Sequence, residues 1–285
     1  MSRIAIVTDS ASNLPPEVAE KYNIHILPLR LIWGEQALRD GVDITPSELY
    51  ARMRVDDHLP TTSTFSPDNL LQVSHALVEE YDAIVGVFLA HELSATFETA
   101  QTVQRLAPIL PLHVVDSRTA AMAEGFVVLE AARAAEAGAT VEQVINRAQE
   151  VIQRTHLLAT LETLEYLRRG GRIGTASAFL GSMIQMKPIL HIPPGSGSVI
   201  GIARPRTWDR AIERMVELMA ERVDDRPVHV AIGHGHRKST AITLAETLRQ
   251  RFDVCELYIT YFTAVMGVHA GPVLSVSFYT EESTP

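Results

Sequence analysis

A chain of 285 residues is about twice the length of a common single domain, so one large or two medium domains, each with a buried core, are expected. With 46% hydrophobic and 21% charged residues the composition is globular, which argues against disorder, and no apolar run approaches the ~20 residues that span a bilayer. A formal charge of -9 argues against nucleic acid as the main partner, because phosphate contacts need a dense basic surface.

The opening MSRIAIVTDS alternates like a strand and lacks the sections of a secretory signal, so a cytoplasmic protein without stable membrane insertion is expected. Ile4 to Val7 reads as a strand ending at Thr8, Asp9 and Ser10, and Pro15 and Pro16 open a helix through Lys21. Ile24 to Leu29 is the next strand. Thr45, Pro46 and Glu48 have capping-box spacing and predict a helix to about Met53, and Ser66 with Pro67 predicts another. Ala83 to Leu89 is apolar enough to be buried on both faces; a helix over about Thr96 to Leu106 and a strand over Leu112 to Val115 follow. Alternating strands and helices predict right-handed crossovers and a mainly parallel sheet covered by helices.

Helices over about Thr119 to Ala137 and Val141 to Arg154, the second opened by Thr140 and Gln143 at capping-box spacing, precede the expected domain boundary, which gives an α/β unit over 1–155 and an α+β or mixed unit over 156–285. In the second unit the pattern predicts a short strand from Leu157, a helix ending at Arg168 to Gly171, and an apolar helix near Ser177 to Met186. Strands at Ile189 to Ile192 and Val199 to Ala203 flank a turn at Pro193 to Ser198. A helix over Trp208 to Val223, a strand over Val228 to Ile232, a helix over Ser239 to Arg251, and strands over Val254 to Ile259 and Val273 to Phe278 complete it. The lone Cys255 lies in a strand-like apolar stretch and reads as a small core residue that forms no disulfide.

Two hydroxyl-rich segments stand out: Pro60 to Pro67, with four hydroxyls ahead of a helix, and His91 to Thr96, between a buried strand and a helix. Unpaired N–H groups at helix starts and nearby hydroxyls suit a carboxylate or phosphate, although N-capping alone also explains such residues. His269, in a Gly267 to Pro272 segment read as a glycine loop between the last two strands, is a further donor or a structural residue. His234-Gly235-His236 falls short of a metal-ligand set, and no metal site is expected. Arg168, Arg169 and Arg172 around Gly170 and Gly171 either complement a helix C-terminus or form a docking patch for an acidic partner. Phe179, Leu180, Met183, Ile184 and Met186 suit either core or the wall of an acyl-chain tunnel. No GxSxG, GxxxxGK[ST] or HExxH motif is present, and Asp9 and Asp116, at strand ends, read as capping residues before they read as an acid pair.

TDSASNLP at 8–15, PTTSTFSP at 60–67, LSATFETA at 93–100, VVDS at 114–117, LRRGGRI at 167–173, MKPIL at 186–190 and GVHAGP at 267–272 run through nearly the whole chain. In that order they resemble the DegV family, whose better-understood members are fatty-acid-binding subunits of bacterial fatty acid kinase systems. The resemblance implies a two-domain α/β protein holding a long-chain fatty acid between its domains, with no cofactor and no chemistry of its own. Thr62, Ser63, Ser94, Ala95 and His269 then inherit the carboxylate site, and Phe179, Met183 and Ile184 the acyl-chain wall. Arg172 and Arg206 inherit docking of a separate ATP-dependent fatty acid kinase. Ser94-Ala95-Thr96 departs from the family's serine-glycine-threonine, and Val273 and Leu274 stand where more glycine usually follows. The alternative is a small-molecule phosphoryl or acyl transferase using Asp9, Asp116 or His269.

Overall fold

The computed structural model describes residues 3–56, 58–182 and 186–281. It begins with β1 (Ile4–Asp9), a 3-10 turn (Ser10–Ser12), α1 (Pro16–Lys21), β2 (Ile24–Leu27), β3 (Arg30–Trp33), β4 (Gln36–Arg39), α2 (Pro46–Met53) and β5 (Thr61–Ser63). It continues through α3 (Pro67–Leu77), β6 (Ala83–Phe88), α4 (Thr96–Leu106), β7 (Leu112–Asp116), α5 (Ala121–Glu136) and α6 (Val141–Ile152). A parallel sheet of order β2-β1-β6-β7 forms as the alternating pattern predicts. The expected strand over Ile24 to Leu29 ends at Leu27, because the chain turns there into a second, antiparallel sheet of order β4-β3-β5 that the pattern did not announce. The segment Thr61–Ser63 is therefore an edge strand.

The second half contains β8 (His156–Leu161), α7 (Glu165–Arg169), a 3-10 stretch (Gly174–Ser182), β9 (Ile189–Ile192), β10 (Ile200–Ala203) and α8 (Trp208–Val223). It ends with β11 (Val228–His234), α9 (Lys238–Arg251), β12 (Val254–Tyr261), α10 (Ala264–Ala270) and β13 (Val273–Thr280). Six strands form one sheet, β10-β9-β8-β13-β11-β12, in which only β11 and β12 run parallel. The segment expected as an apolar helix near Ser177 is the 3-10 stretch, and Met183 and Ile184 lie outside the described residues.

Helix α5 explains how the sheets come together. Residues 121–132 are all buried, Glu124 and Glu130 among them, and α5 packs against β1 and β6 of the parallel sheet and against β8, β11 and β13 of the larger one. The capping boxes hold as expected: Thr45 Oγ1 and Glu48 start α2, and Thr140 Oγ1 and Gln143 start α6.

Two expectations are corrected here. The Gly267 to Pro272 segment is not a glycine loop, because α10 runs to Ala270 and His269 occupies its last turn. Gly267 is packed instead, since a Cβ there would meet Leu49 Cδ2 at 2.6 Å. Cys255 is exposed and not a core residue, because β12 is an edge strand of its sheet.

Candidate functional site

A cavity of about 350 Å³ opens between the two larger sheets, within the range of small-molecule sites. Strand alternation builds its wall. Leu157, Ala159 and Leu161 of β8 face it, while Leu158 between them enters the core on the other face of the sheet. Leu190 and Ile192 of β9 repeat the pattern. His191 between them turns its ring to the far face, where it stacks on His156 with ring centres 5.3 Å apart, and burial pushes its pKa down to about 3. Leu29, Leu89, Leu93 and Ala120 supply the opposing wall.

Polar groups gather in one part of this apolar lining: Thr62, Ser63 and Thr64, Ser94 at the start of α4, Arg172 after α7, and His269 of α10. Thr62 Oγ1 lies 2.7 Å from His269 Nε2. His269 is largely buried, and burial first and Arg172 second push its pKa down to about 4, so the ring is neutral at pH 7. Its Nδ1 is buried without a partner and faces Gly170, where an added Cβ would stand 2.2 Å away. Ser94 Oγ lies 2.7 Å from Thr96 Oγ1 and accepts from Thr96 N–H at 3.3 Å. Ala95 has φ -75° and ψ 8°, a conformation open to any residue, so its methyl group is carried without backbone strain.

Arg172 is turned toward this cluster. Its Nε donates to the Leu93 carbonyl at 2.9 Å and its Nη1 to the Gly170 carbonyl at 2.6 Å, so the guanidinium bridges the serine loop and α7 beside the cavity. Arg206, by contrast, is exposed and away from the cavity lining. Phe179 is also outside the lining; it packs beside Gly201, with the Arg204 guanidinium 4.8 Å above its ring.

Asp9 and Asp116 serve local order. The Asp9 carboxylate accepts from Ala11 N–H at 2.8 Å and Leu89 N–H at 3.0 Å, and burial raises its pKa to about 6. Asp116 meets His91 Nδ1 at 2.6 Å and accepts from Arg118 N–H at 3.0 Å. His234 is buried edge-on against Tyr261, and His236 has its ring centre 6.2 Å from that of Tyr50.

Thr64, within the hydroxyl-rich segment, lines the cavity with a buried hydroxyl that has no partner. Two further contributors escaped the sequence reading. Met266 lines the cavity from α10, and Gly170 gives His269 its space.

Donors grouped in an otherwise apolar cavity can hold an anionic head whose apolar remainder lies along the leucines. Comparison with known proteins adds to this geometry. The DegV family model matches residues 3–281. A DegV domain-containing protein of Streptomyces coelicolor is 37% identical, over 96% of this chain and 97% of its own, and the protein DegV of Bacillus subtilis is 31% identical over 94% and 95%. Among solved structures, a DegV family protein from Thermus thermophilus described for its fatty acid binding superposes with a TM-score of 0.92 at 29% identity, covering 98% of this chain and all of its own. DegV of Bacillus subtilis, described as a fatty acid binding protein, gives 0.89 at 30% identity, with 99% of this chain and all of its own covered.

Proposed function

Because this chain belongs to the DegV family, we propose that it binds a long-chain fatty acid between units spanning 1–155 and 156–285, with the acyl chain in the cavity between the two larger sheets. The observation that carries this reading is the make-up of the cavity's lining: hydroxyls, an imidazole and one guanidinium at Thr62, Ser63, Thr64, Ser94, His269 and Arg172, and elsewhere apolar side chains, Phe262 and Met266 among them, with His191 the exception. The fatty-acid descriptions of the Thermus and Bacillus relatives support the same ligand class. Each buried methylene contributes about 0.8 kcal/mol, so a chain of roughly sixteen carbons supplies about 10 kcal/mol before the costs of binding. The head-group donors fix orientation, and the Arg172 charge keeps the carboxylate ionised in a site that would otherwise favour the neutral acid.

The protein acts in this reading as a carrier in the cytoplasm, presenting the carboxylate to a separate ATP-dependent kinase that forms the acyl phosphate. No helix of the described residues is long and apolar enough to cross a membrane. The exposed Arg206 is the docking residue, whereas Arg172 contributes to the head-group site. Mass spectrometry of an organic extract from the denatured protein tests the ligand; a near-stoichiometric long-chain acid is expected, and a clean extract with no uptake of added acid overturns the assignment. Arg206→Glu tests the partner, with acyl-phosphate formation lost and fatty-acid affinity kept.

A further inference from the structure

We propose that His229, Cys255 and Glu281 form a zinc-binding site at the edge of the six-stranded sheet, separate from the lipid cavity. The three residues come from neighbouring strands: β11, the edge strand β12, and the residue that follows β13. One ligand atom from each, an imidazole nitrogen, a thiol sulfur and a carboxylate oxygen, lies within 4.8 Å of the others. A tetrahedral ion with bonds of about 2.0–2.3 Å holds its ligands about 3.4–3.8 Å apart, so side-chain adjustment alone closes the set.

The backbone is arranged to bring the sulfur there. The pairing of β11 with β12 runs Val228 to Val254 and then His229 to Glu256, which leaves Cys255 as an extra residue in a bulge. A bulge sets two residues against one and re-aims a side chain that strict alternation would send to the other face. The histidine is held from behind as a metal ligand is. Its Nδ1 lies 2.7 Å from Glu256 Oε1, and that carboxylate is anchored by Arg133 at 2.9 and 2.7 Å and by the Tyr258 hydroxyl at 2.7 Å. The ring also stacks on Tyr279 with centres 4.4 Å apart and planes 6° from parallel. With Nδ1 on Glu256, Nε2 donates to Glu281 Oε1 at 2.6 Å, so the ring bridges the two carboxylates; a bound ion takes the place of the Nε2 proton, and Glu281 swings back to ligand distance.

The chemistry selects the ion. A nitrogen, a thiolate and a carboxylate suit zinc and not calcium or magnesium, and thiolate, carboxylate and a divalent ion sum to zero charge. On binding, the thiol proton and the proton on His229 Nε2 leave to solvent. Cys255 is exposed, so a water would complete the coordination. None of the three residues lines the lipid cavity, and the site stands whether or not a fatty acid binds.

Cobalt(II) titration of chelator-stripped protein tests the site. Because Cys255 is the only cysteine, a thiolate-to-cobalt absorption band reports on it alone. One equivalent of cobalt producing that band, and one equivalent of zinc abolishing it, is the expected result. Glu256→Gln should weaken zinc binding about 10- to 100-fold through loss of the supporting carboxylate. Zinc should raise the melting temperature of the parent protein and not of Cys255→Ser, whose exposed position lets the fold survive. The proposal fails if no band forms under stoichiometric cobalt. It also fails if binding survives His229→Gln but is lost with His91→Ala, which would move the ion to the His91, Glu92 and Asp116 cluster.

Discussion

Thr62 Oγ1 and His269 Nε2, 207 residues apart in sequence, meet at 2.7 Å and join an edge strand of the small sheet to the last turn of α10. The bonding assigns the tautomer. Nδ1 is buried against Gly170 with no acceptor, so the proton belongs on Nε2, which donates to Thr62 and frees the threonine O–H to turn into the cavity. Thr62→Val removes both the acceptor for the histidine and the donor for the ligand. Fatty-acid affinity is expected to fall about ten- to a hundredfold, the worth of a hydrogen bond to a charged group, and Thr62→Ser to restore most of it. Equal affinity for the valine variant in a titration would remove Thr62 from the head-group site.

Gly170→Ala tests the same pair from behind. Gly170 has φ -74°, so alanine fits its backbone, unlike Gly171 at φ +72°. The new methyl would stand 2.2 Å from His269 Nδ1 and must push the ring toward Thr62 or away from it. An overpacking loss of about 1–3 kcal/mol in urea unfolding is expected, together with weakened fatty-acid binding. Loss of stability without loss of affinity would mean that the ring position does not matter to the ligand.

What the sequence allowed to be read follows the range of the signal. Capping boxes at Thr45 and Thr140, and the helix over Trp208 to Val223, are local patterns within a turn or along one face, and they were legible. Strand β5 was not, because three hydroxyl residues carry no alternation of their own and pair with β3 only through tertiary structure. Glycine misled at 267, where it permits close packing against Leu49 and breaks no helix. Cys255 looked like core because Val254, Leu257 and Ile259 mark a strand around it, and only the strand order reveals an edge. Thr62, Ser94 and His269 were legible as candidates through hydroxyl clustering and family resemblance, whereas the inward turn of Arg172 depends on the Leu93 and Gly170 carbonyls, which no motif encodes.

Asp40 links α10 to the rest of the protein in a pH-dependent way. Its carboxylate accepts from Ala264 N–H at 2.8 Å, at the start of the helix that carries His269, and from the Ser10 hydroxyl at 2.7 Å. Burial raises its pKa from 3.8 to about 6. Between those values the folded protein binds a proton that the unfolded chain does not, so this residue's contribution to stability rises as pH falls from 6 to 3.8. Asn at this position keeps the acceptor and removes the titration. Asp40→Asn should therefore gain on the parent at pH 7 and lose most of that gain by pH 4, a relative change of about 2 kcal/mol. Denaturation curves at the two pH values that stay parallel would show that the residue is not titrating there.

Ala159 offers the test of where the acyl chain runs. It lies between Leu157 and Leu161 on the cavity face of β8, well away in sequence from every head-group donor. Ala159→Phe places a ring in space that methylenes would otherwise fill, while Thr62, Ser94, Arg172 and His269 keep their geometry. Acids extracted from this variant are expected to be shorter than those from the parent. Each methylene that no longer fits costs about 0.8 kcal/mol, or roughly fourfold in affinity, so long acids should lose affinity steeply and short ones little. Uniform weakening at all chain lengths would instead mean that the ring disturbs the fold. An unchanged length profile would mean that the chain leaves the head-group site by a path that does not cross β8.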